Sequence, residues 1–253
     1  MAYLLKDNKG YFRLFETVAG KTKYVKYIGK DPSAYYASLE KGAEIAAAIK
    51  RYPDLAIKGN GQAILSEYKR RLITTPPPIT KIYNTVVIDP PWPMEKIVRD
   101  VTPITQQYDF EYATMSLDEI KRLPIDRITA ENSHLYLWTT HKFLPDAFDI
   151  LEYWQFKYIF TMVWHKNGGF QPFGLAQYNC EFVLFGRKGN LPFDSTKGFP
   201  TCFSANRRAH SQKPDGFYDI VRRVSPAERL DYFSRESRDG FDQFGAEANK
   251  LSG

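Results

Sequence analysis

The residues with the most distinctive chemistry lie at 85–94, where the chain has the sequence T-V-V-I-D-P-P-W-P-M. The β-branched run at 86–88 predicts a short strand buried on both faces. The strand is expected to end at Asp89, because Pro90 and Pro91 have no N–H group to offer a sheet and Pro90 favours an extended Asp89. A carboxylate at the carboxyl end of such a strand lies where open α/β sheets bind their ligands.

Asp89, Pro90, Pro91 and Trp92 together have the groups needed to hold an amino group carried by a base. The Asp89 side chain and the Pro90 carbonyl can accept hydrogen bonds from the two N–H groups of an exocyclic amine. Trp92 can stack on the ring of the base, a contact worth roughly 1–3 kcal/mol, and the two prolines stiffen the segment. The alternative is a strand that ends in a capping aspartate and a turn, with Trp92 in the core.

Strands and helices alternate through the rest of the chain, which predicts a doubly wound α/β sheet. The predicted strands are 86–88, 133–140, 159–166 and 180–186, followed at 229–235 by a last strand that leads into a loop. The predicted helices are 145–154 and 216–224. Ser116 and Glu119 have the spacing of a capping box and predict a short helix directly after Ser116.

The D-P-P-W segment after a strand resembles motif IV of amino-methyltransferases that use S-adenosylmethionine. More specifically, it resembles the adenine-N6 methyltransferases related to the catalytic subunit of the eukaryotic mRNA adenosine methylase, the MT-A70 family. The resemblance extends from about Tyr83 to Glu247, through several segments in the family's order. It implies a Rossmann-like methyltransferase sheet with a permuted motif order, in which the amine-binding motif comes first and the donor-binding strand last. Consistent with that order, the chain has no G-x-G-x-x-G segment.

The resemblance also assigns residues to the methyl donor, S-adenosylmethionine. Lys213, in the segment K-P-D, is expected to meet the carboxylate of the donor with its point charge. Asp89 is expected to contribute to the donor site as well. The loop after the last strand, with Phe233, Ser234 and Arg235, resembles the donor-binding loop, and Arg235 is expected near the ribose. The alternative for Lys213 is a solvated residue that precedes a helix.

Two positions depart from the family's pattern. Ala246 replaces an asparagine that commonly helps to hold the donor's ribose or adenine, so the backbone of Ala246 and the side chain of Glu247 are expected to bind there. Where the family often has an Arg-Asn pair, this chain has Tyr178 and Asn179. Weaker donor binding, or dependence on a partner, is one expected consequence of Ala246.

Two further segments are placed near the substrate by the resemblance. Tyr112, in the pattern Y-x-T-M-S, is a candidate contact to the target base, and a purely structural tyrosine is the alternative. Residues 95–107 have no clear period and correspond to a loop beside the substrate, which is expected to become ordered on ligand binding.

The first 78 residues predict a separate, small module ahead of a methyltransferase domain at 79–253. The stiff T-T-P-P-P segment at 74–78 predicts the boundary between them. Alternating polar and apolar residues predict an antiparallel β-meander. The Asp31-Pro32 start, the alanine-rich run that follows it and the Gly-Asn-Gly segment at 59–61 predict two helices. The predicted strands are 3–5, 11–17 and 23–28, and the predicted helices are 34–51 and 62–72.

The basic charge of the chain is concentrated in this module. Residues 1–80 contain 14 Lys and Arg against 7 Asp and Glu, whereas the rest of the chain is almost balanced. A basic appendage on a near-neutral domain suggests a polyanion partner, with Lys23 and Lys26 as candidate contacts to nucleic acid. The alternatives are ordinary surface lysines and a sheet that only packs on a neighbour.

Composition excludes several other classes. No run approaches 18 apolar residues, and the N-terminus lacks the features of a signal peptide, so no membrane association is expected. Cys180 and Cys202 form no C-x-x-C pattern, and the four histidines have no metal-binding spacing. A reduced, cytoplasmic protein without disulfides or a metal site is therefore expected.

The sequence thus predicts an S-adenosylmethionine-dependent adenine-N6 methyltransferase acting on nucleic acid, with DNA favoured over RNA. The target base would be unpaired or flipped out of the stack. The rival prediction is a non-catalytic nucleic-acid-binding subunit of a methyltransferase complex, which Ala246 favours. Cytosine-N4 methylation is a third reading, but its motif usually begins with Ser rather than with an aspartate. A protein partner or a homodimer is left open.

Overall fold

The computed structural model describes residues 2–18, 20–32, 35–36, 41–58, 60–74, 81–94, 114–171, 174, 176–206 and 212–245. The chain forms two compact units, one extending to Leu72 and the other beginning at Ile73. Most of the predicted linker, residues 75–78, lies outside the described residues, and so does the loop at 95–107. The boundary at residue 78 stays a prediction.

The N-terminal unit contains a three-stranded antiparallel sheet in the order β1-β2-β3. Its strands are β1 (Ala2–Lys6), β2 (Phe12–Val18) and β3 (Lys21–Gly29). Because side chains alternate between the two faces of a strand, Leu4, Phe12 and Leu14 all point to one face and are buried there. They pack in one cluster with Tyr36 and Ile45. The predicted β-meander is confirmed.

Helices cover the buried face of this sheet. They are α1 (Gly42–Arg51) and α2 (Gly61–Thr74), joined by a 3₁₀ turn at Pro53–Lys58. The side chain of Asn60 caps α2 by accepting the N–H of Ala63 at 2.8 Å. The prediction of one continuous helix over 34–51 is wrong, because Lys41 adopts a left-handed conformation with φ of 59° and α1 begins only after it.

The C-terminal unit contains a seven-stranded sheet in the order β10-β9-β4-β5-β7-β6-β8. Its strands are β4 (Tyr83–Ile88), β5 (Thr129–Thr139), β6 (Lys157–Phe170), β7 (Tyr178–Lys188), β8 (Cys202–Ala205), β9 (Arg229–Tyr232) and β10 (Asp242–Phe244). Only β7 runs antiparallel to its neighbours, and the other pairs are parallel. The Rossmann-like α/β sheet is confirmed, whereas the short strands β8 and β10 were not predicted.

Four helices accompany this sheet among the described residues. They are α3 (Leu117–Lys121), α4 (Ile125–Ile128), α5 (Leu144–Tyr153) and α6 (Asp215–Val224). The capping box predicted at the start of α3 is confirmed, because Ser116 Oγ accepts the N–H of Glu119 at 3.2 Å and the Glu119 carboxylate accepts the N–H of Ser116 at 2.8 Å.

The parallel pairing of β4 with β9 sets the location of the site. Ile88 lies opposite Tyr232, so both strands end at the same edge of the sheet. Residues 85–88 are fully buried on both faces, as predicted for this strand. The segment that begins at Asp89 and the loop that begins at Phe233 therefore leave the sheet side by side. This is the permuted order that the sequence predicts, with the first strand of the unit beside its penultimate strand.

His134 on β5 is a buried histidine that the fold keeps neutral. Its Nε2 lies 3.0 Å from the Leu191 carbonyl oxygen, which can only accept a hydrogen bond, so Nε2 carries the proton. Its Nδ1 then accepts the hydroxyl of Ser225 at 2.9 Å. Burial lowers the pKa of His134 to about 4. A proton is thus bound more readily by the unfolded chain, whose histidine has a pKa of about 6.5.

Acid should therefore destabilise the protein through His134. As the pH is lowered from about 6.5 to about 4, the unfolded chain gains a proton at this histidine that the folded chain does not gain. The free energy of unfolding therefore decreases as the pH is lowered through this range. From pH 7 to pH 5 this group should contribute a loss of about 2 kcal/mol, measurable by urea unfolding. In His134→Gln the decrease in the free energy of unfolding between pH 7 and pH 5 should be smaller by that amount. In the control His141→Gln, which changes an exposed histidine, the decrease should be the same as in the wild type. An unaltered acid loss in His134→Gln would contradict this assignment.

The described residues contain no helix that is long and apolar enough to span a membrane. The two cysteines, Cys180 and Cys202, are free thiols. Within the same residues, no group of three or more His, Cys, Asp or Glu side chains is arranged to hold a metal ion.

Candidate active site

Asp89 follows β4 directly, and its side chain is 32% exposed. The prolines after it turn the chain without forming a strand. The carbonyl oxygen of Pro90 accepts the N–H of Trp92 at 2.8 Å, and that of Pro91 accepts the N–H of Met115 at 2.8 Å. Since a carbonyl oxygen has two lone pairs, Pro90 retains one acceptor position. The carboxylate and the carbonyl predicted to hold an amine thus lie on adjacent residues at the edge of the sheet.

Lys213, immediately before α6, bridges two carboxylates. Its Nζ lies 3.0 Å from Asp89 Oδ2 and 2.8 Å from Glu181 Oε2. The ammonium group also lies 4.7 Å from the centre of the Trp138 ring, within the range of a cation–π contact. The Lys213 side chain is only 11% exposed. Its place beside Asp89 brings together two residues that are 124 positions apart in the sequence.

Glu181 on β7 joins a second lysine to this cluster. Its other carboxylate oxygen pairs with Lys166 at the end of the buried part of β6, and the Lys166 side chain is 9% exposed. Asp89, Lys213, Glu181 and Lys166 thus form a row of alternating charges across three strands and the start of a helix. Such a row is electrically balanced, which is the condition for burying charges at moderate cost.

The charges of this row shift each other's pKa. Burial alone would raise the pKa of Glu181, but the ammonium groups of Lys213 and Lys166 hold it at about 2. Burial would lower the pKa of Lys213, but Asp89 and Glu181 raise it above its ordinary value. Burial raises the pKa of Asp89, and Lys213 opposes that shift. Perturbed pKa values of this kind concentrate at functional sites.

Trp92 is a buried side chain whose ring already packs against another aromatic ring. It is 5% exposed, its indole N–H donates to the Trp138 carbonyl at 3.1 Å, and its ring stacks on Phe143 with the centroids 5.2 Å apart. One face of the indole is therefore covered in this structure. Stacking of Trp92 on a substrate base stays a prediction, and it would use the opposite face of the ring or require a rearrangement.

The loop that follows β9 is held in a tight conformation. Phe233 has a φ of 68°, and the N–H groups of Phe233 and Ser234 both donate to the carbonyl of Phe244 on β10. Gly245 allows this approach, because an added Cβ there would lie 2.7 Å from the Ser234 carbonyl oxygen. Next in the chain, Arg235 is close enough to Asp89 for its charge to lower the pKa of that carboxyl.

Arg238 fastens this loop to α6. Its guanidinium pairs with Asp215 at 2.5 Å and with Glu236 at 2.7 Å, and it lies 3.8 Å from the centre of the Tyr218 ring. It also reaches the carbonyl oxygen of Lys213 at 3.4 Å. The loop predicted to bind the donor and the segment that carries Lys213 are therefore connected through one side chain.

These residues fit S-adenosylmethionine, as the family resemblance implies. Lys213 offers a cation for the donor's carboxylate, and Asp89 offers an anion for its ammonium group. Buried polar atoms usually have partners, yet Thr140 Oγ1 and Tyr232 Oη have none and lie at or near the ends of β5 and β9. Unpaired hydrogen-bonding groups at this edge are consistent with a bound polar ligand.

The structure brings some of the predicted site residues together. Asp89, Pro90, Lys213 and Arg235 share one edge of the sheet. Three predicted residues lie outside the described residues, namely Tyr112, Ala246 and Glu247. The predicted nucleic-acid contacts Lys23 and Lys26 are exposed residues of the N-terminal unit.

Glu181 and Lys166 were not predicted as site residues. Glu181 is the second residue of the predicted strand C-E-F-V-L-F-G, and Lys166 is the last residue of the predicted strand I-F-T-M-V-W-H-K. A charge at such a position is buried unless the strand ends there, and a buried charge needs a partner. For Glu181 that signal was present in the sequence, although it does not identify the lysine that pairs with it. Lys166 ends its predicted strand, so nothing in the sequence indicated that it is buried.

The sheet order and the charged edge beside β4 and β9 define the class of protein, a Rossmann-like methyltransferase with a permuted motif order. The chain belongs to the MT-A70 family, whose family model matches residues 83–247. The prediction drawn from the D-P-P-W segment is thereby confirmed at the level of the family.

Several proteins similar in sequence to this chain are named as methyltransferases. The Type II methyltransferase M.MunI of Mycoplasma sp is 29% identical over 186 residues, which cover 66% of this chain and 78% of that protein. The N(6)-adenosine-methyltransferase MT-A70-like protein of Drosophila melanogaster is 27% identical over 162 residues, 60% of this chain and 24% of that protein. The N(6)-adenosine-methyltransferase catalytic subunit METTL3 of Homo sapiens is 26% identical over 162 residues, 60% of this chain and 26% of that protein. The aligned part thus amounts to about a quarter of each of these two eukaryotic relatives.

Proposed function

We propose that the protein methylates adenine at N6 in DNA, with S-adenosylmethionine as the methyl donor. The observation that carries this proposal is the partly exposed Asp89 carboxylate at the end of β4, fixed by the Lys213 ammonium at 3.0 Å within a chain of the MT-A70 family. A carboxylate that is held in place by a neighbouring cation cannot turn away from the substrate. Preorganised polar groups of this kind supply much of the rate enhancement in many enzymes.

Asp89 and Pro90 would orient the amino group of the target adenine. The carboxylate accepts one N–H of N6, and the remaining lone pair of the Pro90 carbonyl accepts the other. With both hydrogens engaged, the nitrogen lone pair becomes more available to the incoming methyl group. Holding two reacting groups in line is worth several orders of magnitude in rate. Methyl transfer leaves N6 with one proton too many, and the Asp89 carboxylate, hydrogen-bonded to that amine, would accept it.

Donor binding would be shared between Lys213 in the charged row and the loop that follows β9. S-adenosylmethionine, when bound, supplies an electrophilic methyl group. Lys213 would hold the donor's carboxylate, which it can do only by sharing its hydrogens with Asp89 and Glu181. Phe233, Ser234 and Arg235 would line the nucleoside end, with Ala246 and Glu247 completing it.

DNA is placed before RNA because the chain covers 78% of a relative named as a Type II methyltransferase, and the basic N-terminal unit would add charge for either polyanion. RNA adenosine is the second candidate, because two of the relatives are named as N(6)-adenosine-methyltransferases. A cytoplasmic location is part of the proposal. So is a partner protein or second copy of the chain, since Ala246 replaces an asparagine that commonly helps to hold the donor.

A substrate comparison tests the proposal. The protein is incubated with S-adenosylmethionine and adenine-containing duplex DNA, single-stranded DNA or RNA, and the nucleosides are analysed by mass spectrometry. N6-methyldeoxyadenosine is expected, at a higher yield from DNA than N6-methyladenosine from RNA. Formation of N4-methylcytosine would show that the protein methylates cytosine at N4 instead. No product from any substrate, with no heat of S-adenosylmethionine binding in calorimetry, would instead identify a non-catalytic nucleic-acid-binding subunit.

A further inference from the structure

The hydroxyl group of Thr140 is a buried polar group that the proposed function does not use. Thr140 directly follows β5, and its side chain as a whole is half-buried. Its Oγ1 atom is buried and has no hydrogen-bond partner among the residues that the structure describes. A buried hydroxyl without a partner costs free energy, and such groups are uncommon in folded proteins. This hydroxyl is therefore available to a ligand.

The local backbone does not explain why a threonine stands at this position. Thr140 precedes the short 3₁₀ turn at His141–Phe143, where a threonine side chain would ordinarily accept a backbone N–H of the turn. Its side chain makes no such hydrogen bond. Instead, the carbonyl oxygen of Thr140 accepts the N–H of Phe143 at 3.2 Å. The main chain forms the turn, and the hydroxyl is left for another contact.

Strand register places Thr140 between the two carboxylates of the site. β5 lies between β4 and β7 in the sheet. The residue before Asp89 pairs with β5 on one side, and the residue after Glu181 pairs with Thr139 on the other side. Asp89, Thr140 and Glu181 therefore come from three neighbouring strands and lie at the same edge of the sheet.

The alternation of side chains directs these three residues to the same face. The residues two positions further into each strand lie together in one core cluster, namely Val87, Trp138 and Val183. Residues two positions apart on a strand share a face, so Asp89, Thr140 and Glu181 continue the face of that cluster. The Lys213 ammonium bridges the two carboxylates and lies 4.7 Å from the ring of Trp138. The Thr140 hydroxyl thus belongs to the next position along β5 beyond this bridge.

Thr140 lies on the side of the site where the target base is expected. The indole N–H of Trp92 donates to the Trp138 carbonyl at 3.1 Å, and the indole ring stacks on Phe143 at 5.2 Å. The D-P-P-W segment therefore contacts the chain on both sides of Thr140. The loop proposed to bind the donor follows β9, which lies on the other side of β4. The hydroxyl is thus beside the motif for the base and away from the donor loop.

We propose that Thr140 binds the target adenine by donating its hydroxyl hydrogen to a ring nitrogen next to the amino group. The amino group of adenine lies between N1 and N7, which both accept hydrogen bonds. Asp89 and Pro90 would take up the two N–H groups, so this edge of the base still requires a donor, and a hydroxyl supplies one. Hydrogen bonds to base edges are the usual means of reading a flipped base. Since the Thr140 side chain is only half-buried, a rotation about its Cα–Cβ bond would bring the oxygen to the base.

Replacement of single atoms in the base tests this contact, which rests on the proposed adenine substrate. The probes are oligonucleotides of the preferred nucleic acid with one target adenine, or with 1-deazaadenine or 7-deazaadenine in its place. With adenine, Thr140→Val should lower kcat/KM roughly tenfold, because a ring nitrogen loses its partner. With the analogue that lacks this nitrogen, Thr140→Val and the wild type should have the same kcat/KM. Thr140→Ser keeps the hydroxyl and should restore the preference for adenine.

Stability and donor binding distinguish this role from a structural one. Thr140→Val removes a buried hydroxyl that has no described partner, so the thermal unfolding midpoint should stay the same or rise. The affinity for S-adenosylmethionine, measured by calorimetry, should equal that of the wild type. Thr139→Val is the matched control, because Thr139 is a buried neighbour whose side chain points to the opposite face. It should retain the wild-type kcat/KM with all three oligonucleotides.

Three results would overturn the inference. They are a normal kcat/KM for Thr140→Val, an equal loss with adenine and both analogues, and a loss confined to S-adenosylmethionine affinity. The second would show that the hydroxyl acts through the fold, and the third would assign it to the donor. If the wild type methylated no adenine, the proposed function alone would fail. Binding of the same oligonucleotides to wild type and Thr140→Val, measured by fluorescence anisotropy, would then decide the inference by the same pattern of losses.

Discussion

Asp89→Asn should lower the rate of methyl transfer by about 10²–10³-fold or more, while the protein keeps its fold. An asparagine has nearly the same shape as an aspartate, but it has no charge and only one acceptor oxygen. The Lys213 ammonium would hold that oxygen, and the amide NH₂ group would face the amine of the substrate as a donor facing a donor. Loss of a single preorganised polar group at a reacting centre typically costs a factor of this size.

The fold should survive because Lys213 retains its second partner, Glu181, at 2.8 Å. The measurement is initial rate of methyl incorporation into the preferred nucleic acid, together with the thermal unfolding midpoint. Asp149→Asn is a matched control, since Asp149 is an exposed carboxylate on α5 in the same unit. Near-normal turnover by Asp89→Asn would exclude Asp89 as the group that orients N6.

Local features of the fold were predictable because neighbouring residues determine them. Val86 to Ile88 predict a buried strand, the prolines after Asp89 predict its end, and Ser116 with Glu119 predicts a cap. Each of these depends on residues within a few positions of one another. The interruption of the predicted helix at Lys41 depends on a single residue in a left-handed conformation. The segment around it is alanine-rich, so helix propensity does not predict this interruption.

Contacts between distant residues were much harder to predict. The sequence allowed Trp92 to stack on a base or to lie in the core, and only the packing of Phe143 against its ring shows which environment it occupies here. Likewise, Lys213 was assigned to the donor from its motif alone. Its pairing with Glu181, 32 positions away on a strand that runs antiparallel, requires knowledge of the strand order.

Glu181→Gln should reduce the free energy of unfolding by about 3 kcal/mol at pH 7. The substitution keeps the size of the side chain but leaves Lys166, which is 9% exposed, without an anionic partner. Removing one member of a buried ion pair typically costs about 3–5 kcal/mol. The pKa of about 2 for Glu181 gives a similar figure, because it lies roughly 2.5 pKa units below the ordinary value and each unit corresponds to about 1.4 kcal/mol.

The dependence on pH distinguishes charge from packing. A carboxyl with a lowered pKa stabilises the folded state fully above its unfolded pKa, and the stabilisation disappears as the pH falls through the folded pKa. Urea unfolding should therefore show a difference between wild type and Glu181→Gln of about 3 kcal/mol at pH 7 that shrinks to about 1 kcal/mol at pH 3. Glu152→Gln, at an exposed position of α5, should differ from wild type at neither pH.

Lys166→Met identifies the partner responsible. If the cost of Glu181→Gln arises from a lysine left unpaired, then adding Lys166→Met should recover at least about 1 kcal/mol, a coupling typical of residues in direct contact. The double variant should also keep the Lys213 contact to Asp89, because that ion pair involves neither altered residue. Additive losses in the double-mutant cycle, or a difference that persists unchanged at pH 3, would show that Glu181 acts through packing. The alternating row of charges would then have no role in holding Asp89 at the edge of the sheet.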